Sequence, residues 1–215
     1  MRIALIHAVA VAMAPVHEAF ALLWPAAQCT DLLDTALSVD RERDGELTAA
    51  MRRRIATLAD YAAGTGAAGI LFTCSAFGEA IEAAAAHSPV PVLRPNEAMF
   101  EAALAAGNHI GMLATFRPSV AGMEQEFGEL AAARGRATRL ETICVEGAMR
   151  ALQEGDGATH DRLIAAAAPR LKHCDAVLLA HFSTARAQAA VSAVLPCPVL
   201  TAPGAAVEKL RTLVA

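Results

Sequence analysis

Apolar residues in this chain gather into short unbroken runs, separated by longer stretches where they recur every third or fourth position. Ile3-Ala4-Leu5-Ile6 is the first run. Gly69-Ile70-Leu71-Phe72-Thr73, Ile110-Gly111-Met112-Leu113-Ala114 and Ala176-Val177-Leu178-Leu179-Ala180 have the same form. Four or five apolar residues without alternation predict strands buried on both faces. Further strands are expected over 29–33, 90–93, 138–145 and 198–201. Helical periodicity fills 15–24, 46–63, 76–87, 97–106, 146–153, 159–173 and 204–214. Thr115-Phe116-Arg117-Pro118-Ser119 opens another helix, and His181-Phe182-Ser183-Thr184 leads into one more. The polar stretch 34–44 carries no such period and is expected to be a loop. Strands alternating with helices throughout predict an α/β fold of parallel sheets covered by helices.

The pattern also repeats. Moved on by 107 residues, Pro89-Val90-Pro91-Val92-Leu93 falls on Pro196-Cys197-Pro198-Val199-Leu200. The same shift takes Ile3 to Ile6 onto Ile110 to Leu113, Ile70 to Thr73 onto Val177 to Ala180, and Phe20 onto Phe127. One gap-free offset across three strands predicts two similar Rossmann-like (flavodoxin-like) units related by a pseudo-twofold axis. Their expected extents are 1–95 with 201–215, and 96–200. Open parallel sheets bind ligands beyond the carboxyl ends of their strands, so an active-site cleft between the units is expected.

Composition narrows the partners. The 215 residues are 55% hydrophobic with a formal net charge of -4, enough for a substantial core and without a basic face. Nucleic acid is therefore not the expected partner. No apolar run approaches the ~20 residues of a membrane span. The first 14 residues carry only Arg2 as a positive region, and His7 interrupts their apolar run. They read better as a strand than as a leader, and a cytoplasmic location is expected. Five cysteines, an odd number without a CxxC, suggest no disulfide framework. Seven histidines without HxxxH or HExxH suggest no metal. Cys29, Cys144, Cys174 and Cys197 are read as structural.

Cys74 stands where a strand stops and a helix begins. Unpaired backbone N–H groups at such a turn favour a thiolate and lower a cysteine pKa. The competing reading is a small buried hydrophobe. Under the 107-residue shift, Cys74 corresponds to His181, Ser75 to Phe182, Ala76 to Ser183, and His7 to Ala114. Histidine exchanges protons near neutral pH, while the plainer reading of His181 is a core residue capping its helix. Arg94 and Arg117 each follow a strand, where a guanidinium can bind a carboxylate or simply face solvent. Asn96 and Glu97 read as a helix cap and first turn. Arg52, Arg53 and Arg54 spread around a helix and read as solvated surface.

Thr73-Cys74-Ser75, Leu113-Ala114-Thr115 and Leu178-Leu179-Ala180-His181 together resemble the motifs of the aspartate/glutamate/hydantoin racemase superfamily, which includes maleate isomerases and arylmalonate decarboxylases. The resemblance spans nearly the whole chain. It implies two thiols that move a proton between opposite faces of a substrate carbon, with no cofactor and no metal, in a protein that is commonly a dimer. Here His181 stands where the second cysteine is expected. The implied catalytic pair is Cys74 and His181. His7, Ser75, Ala76, Thr115, Phe116, Ser183, Thr184, Arg94 and Arg117 are the expected contacts to a small anionic substrate. A nucleophilic thiolate–imidazolium couple, as in maleate isomerases, and single-base decarboxylation are alternatives within the family. A non-catalytic, small-anion-binding member of the same fold is the alternative without turnover.

Overall fold

The computed structural model describes residues 1–214. It divides into one unit of Met1–Pro95 that resumes at Pro203, and a second of Asn96–Ala202. In the first unit the chain runs β1 (Arg2–His7), α1 (Met13–Leu23), β2 (Gln28–Leu33), α2 (Ala36–Asp44), α3 (Ala49–Gly64), β3 (Gly69–Phe72), α4 (Gly78–Ala85) and β4 (Val92–Leu93). The second unit holds α5 (Glu97–Ala106), β5 (His109–Ala114), α6 (Arg117–Ala133), β6 (Arg139–Cys144), α7 (Ala148–Gln153), α8 (Gly157–Ala167), β7 (Ala176–Leu179), α9 (Gln188–Ser192) and β8 (Val199–Thr201). Helix α10 (Ala202–Val214) then packs in the first unit.

Each unit is a four-stranded sheet in which every pair is parallel. The orders are β2-β1-β3-β4 and β6-β5-β7-β8. The registers repeat as well. Leu5 lies opposite Leu71 and Leu71 opposite Leu93; Met112 lies opposite Leu178 and Leu178 opposite Leu200. The α/β fold with two parallel sheets is thus the one the apolar runs predict.

The runs are unbroken because both faces are covered. Every residue of β3 and β7 is buried, whereas β2 and β6, at the sheet edges, are partly exposed. Gly69 lets α10 approach β3: a Cβ there would lie 2.9 Å from Val214 and 3.1 Å from Leu210. In the second unit Phe100 of α5 meets Phe127 of α6 edge to face, with centroids 5.4 Å apart at 88°. Such a pair adds about 1 kcal/mol beyond its buried area. Thr48 caps α3 by accepting from the Met51 N–H at 3.3 Å, and Asp156 caps α8 by accepting from the Thr159 N–H at 2.9 Å. Among the described residues, no helix is long and apolar enough to cross a membrane.

The segment 34–44 corrects its sequence reading: most of it is helix α2. Only Leu37 of this helix is buried, so it has no apolar stripe to reveal it. It is held by charge instead. Arg54 on α3 donates to both Asp34 oxygens, each at 2.6 Å from Nη2, and to Asp40 at 2.7 Å. Arg41 and Arg43 occupy its last turn, where cations suit the helix dipole, and Gly45 ends it at φ 70.

Candidate active site

In the first unit the candidate residues gather at the carboxyl ends of β1 and β3. Cys74 follows β3 in an extended conformation, φ -118 and ψ 117, and a short 3-10 turn, Ser75–Phe77, separates it from α4. It is partly buried. Burial pushes its thiol up to about 11, against the downward pull of the Ala76 N–H on the sulfur and of the nearby Arg41 guanidinium. Cys74 in the free protein is thus a protonated thiol rather than the thiolate a helix start suggests. Desolvation outweighs the few donors that one 3-10 turn supplies. Arg41 is fixed beside this turn by donating from Nε to the Ala76 carbonyl at 3.3 Å. The Ser75 hydroxyl is buried and has no hydrogen-bond partner among the described residues. Buried hydroxyls are nearly always bonded, so this donor is available to a ligand.

His7 ends β1, fully buried, with both ring nitrogens engaged. Nε2 lies 3.0 Å from Asp31 Oδ1 and Nδ1 lies 2.8 Å from Thr73 Oγ1. A carboxylate only accepts, so Nε2 carries the proton and Nδ1 accepts from Thr73. Asp31 also accepts from His17 Nε2 at 2.8 Å. Burial lowers the His7 pKa despite Asp31. His7 therefore fixes Thr73, the residue before Cys74. Arg94, just past β4, pairs with Glu82 at 3.4 Å.

In the second unit the corresponding place, after β7, belongs to His181. Among the described residues it is the one non-glycine residue with positive φ, at φ 80 and ψ 142. That region is close to glycine-only, and holding a histidine there costs about 1–3 kcal/mol. The ring is buried and bonded on both nitrogens. The Thr115 N–H donates to Nδ1 at 3.4 Å, Thr115 Oγ1 lies 3.2 Å from the same atom, and Ser119 Oγ lies 2.7 Å from Nε2. The backbone N–H can only donate, so Nδ1 is the acceptor and Nε2 bears the proton. Ser119 Oγ then accepts from the ring and donates to the Phe116 carbonyl at 2.8 Å. Burial, with His160 nearby, lowers the His181 pKa to about 4, so the imidazole is neutral at physiological pH.

Of the remaining candidates, Thr184 donates its hydroxyl to the backbone carbonyls of Ala180 and His181, at 2.6 and 2.7 Å. It braces the turn that carries His181. Ser183 is buried in the same turn. Arg117, at the start of α6, forms an exposed ion pair with Glu146 at 2.8 Å. The structure adds Arg41, Asp31, Ser119 and His160 to the groups around these turns. Ser119 appears in the sequence only as part of a helix opening, and Arg41 lies on the unpredicted helix.

Two parallel four-stranded units, each with a titratable side chain past its third strand, define a repeated α/β protein. The family profile for Asp/Glu/hydantoin racemases matches residues 14–210, and the chain belongs to that family. No curated protein matches it by sequence. Among solved structures it is similar to allantoin racemase from Klebsiella pneumoniae, with TM-score 0.74 and 15% identity over 100% of this chain and 87% of that one. Glutamate racemase isoform RacE1 from Bacillus anthracis gives TM-score 0.76 and 12% identity over 98% and 80%. A glycine-to-cysteine mutant of arylmalonate decarboxylase in its sulfate-associated form gives 0.66 and 17% over 100% and 93%. At these identities the structures speak for the fold.

Proposed function

We propose that this chain is a cofactor-independent racemase or isomerase of a small carboxylate- or carbonyl-bearing substrate, of the amino acid, hydantoin or dicarboxylate kind. Cys74 and His181 are its proton-transferring pair, acting on opposite faces of one carbon. The observation that carries this reading is His181 itself. A neutral imidazole is held at φ 80 by bonds to Thr115 and Ser119, at the position the repeat pairs with Cys74. Strain of this kind persists where the surrounding structure enforces it, and it clusters at functional sites.

The resting protonation states give the pair a direction. The Thr115 hydroxyl passes its proton to Nδ1 of the neutral His181 as its oxygen takes the proton next to the substrate carbonyl. The C–H electrons pass into an enolate-like anion. The Cys74 thiol then gives its proton to the other face, forming the new C–H bond and leaving a thiolate. Solvent resets both groups, or the reverse reaction runs from the thiolate–imidazolium state. An anionic substrate raises the proton affinity of His181, opposing the desolvation that lowers it in the free protein. The Ser75 hydroxyl and the Arg41 guanidinium supply positive potential on the Cys74 side.

The test is a turnover screen over amino acids, hydantoins and dicarboxylates, with Cys74→Ala and His181→Asn as controls. Each variant is expected to lose about 10²–10⁴-fold in rate. Full activity in Cys74→Ala refutes the assignment. Absence of any turnover, with an anion that raises thermal stability, replaces it by a binding function.

A further inference from the structure

At the start of the strands of the second unit, opposite the ends that carry Thr115 and His181, stands a second cluster. His109 opens β5, while His173 and Cys174 form the turn before β7. The ring nitrogens of the two histidines and the Cys174 sulfur supply ligand atoms that all lie within 4.8 Å of one another. The two rings are 4.9 Å apart, tilted by 50°. Glu141 of β6 joins them: its Oε2 lies 3.2 Å from His173 Nε2 and 3.6 Å from His109 Nε2. His109 Nε2 is buried and has no hydrogen-bond partner among the described residues.

The cluster is fixed by its own backbone. Asp175 Oδ2 accepts from the N–H groups of Asn108 and His109 at 2.8 and 2.9 Å, and the Asp175 N–H donates to the His109 carbonyl at 2.7 Å. Gly107 makes room for this clamp, since a Cβ there would overlap Asp175. The segment carrying His109 is thereby tied to the segment carrying His173 and Cys174. The fold itself does not require these side chains: 107 residues earlier the same positions hold Arg2, Gly66 and Ala67.

We propose that His109, His173 and Cys174, with Glu141 as fourth ligand, form a zinc site. Two imidazoles, a thiol and a carboxylate are the donors that zinc takes in tetrahedral sites, while magnesium and calcium want oxygen alone. Zinc bonds of 2.0–2.3 Å place ligand atoms about 3.4–3.7 Å apart, so small side-chain rotations close the set of His109, His173 and Cys174, and Glu141, which already borders both histidines, swings in to complete it. On binding, the Cys174 S–H bond breaks, an S–Zn bond forms and the proton leaves to solvent. Arg139, whose Nη2 lies 3.7 Å from Glu141 Oε2, is released from that carboxylate. The site joins β5, β6 and the turn before β7 at the amino ends of the strands, so it acts on stability rather than on turnover.

The experiment titrates metal-free protein, kept reduced, with Zn²⁺ against a chromophoric chelator, and with Co²⁺ for spectroscopy. One zinc per chain is expected, with a rise in melting temperature. The cobalt–thiolate band should vanish in Cys174→Ser and persist in Cys197→Ser, whose thiol packs against the same core. His109→Ala and His173→Ala should each weaken binding about 100-fold. Circular dichroism and metal-free melts of each variant separate lost ligation from lost folding. A wild type that binds zinc no more tightly than the His109→Ala/Cys174→Ser double variant overturns the proposal, as does a cobalt band that survives without Cys174.

Discussion

Replacing His181 by Asn removes a buried imidazole that folding keeps neutral. Its pKa falls from an ordinary 6.5 to about 4 in the folded chain. The unfolded chain therefore binds the proton more tightly between those values, and stability must fall as pH drops through that window. Above pH 6.5 both states hold the ring neutral and the contribution is flat; below about pH 4 both hold it charged and it is flat again. At pH 5 the linkage relation gives a loss of about 2 kcal/mol relative to pH 7 from this one group. Urea unfolding of wild type and His181→Asn at pH 7 and pH 5 isolates it. His7, whose pKa burial also lowers, titrates in both proteins and cancels in the comparison, and His160, which lies near His181, is removed from it by making both proteins in a His160→Gln background. The wild type should lose about 2 kcal/mol more than the variant over that interval. Equal losses would refute the claim that His181 is buried and neutral, and with it the claim that it starts the reaction as a base.

Cys74 in the free protein should alkylate more slowly than an ordinary thiol at pH 8, with a rate that rises past pH 9 toward its value of about 11; this is read by mass spectrometry of the labelled peptide. Arg41→Ala removes a charge that lowers that thiol, so labelling at fixed pH should slow further, and KM for an anionic substrate should rise by about tenfold. Arg54→Ala cuts the bonds from α3 to Asp34 and Asp40 and should cost about 1–2 kcal/mol in urea unfolding, with faster proteolysis inside α2. Gly107→Ala drives a Cβ into Asp175 and should destabilise the chain by about 2 kcal/mol or more in the same assay.

The apolar runs revealed most of the architecture because they encode burial on both faces. β3 and β7 are buried along their whole length, and a parallel sheet under helices is the architecture that accommodates such strands. The 107-residue offset was visible for the same reason: the paired strands share register, residue for residue. What the sequence concealed lies in interactions that no local pattern carries. Helix α2 is held by Arg54, Asp34 and Asp40 rather than by an apolar stripe, and it brings Arg41 to the Cys74 turn. The ionisation of Cys74 is not legible in the sequence, because a helix start is a local feature, whereas desolvation depends on everything packed around the sulfur. The hold on His181 comes from Thr115 and Ser119, more than sixty residues earlier. His109 stands as far from His173 and Cys174, so their cluster has no motif spacing to betray it.

Proton exchange tests the central claim most directly. In deuterium oxide, a substrate found by the screen should gain deuterium at the carbon next to its carbonyl as it is converted by the wild type. Cys74→Ser and His181→Asn should each abolish conversion, and at most one of them should retain slow exchange without inversion, marking the face on which the surviving group acts. Conversion without deuterium at that carbon, or undiminished exchange in both variants, contradicts a proton-transferring pair of Cys74 and His181.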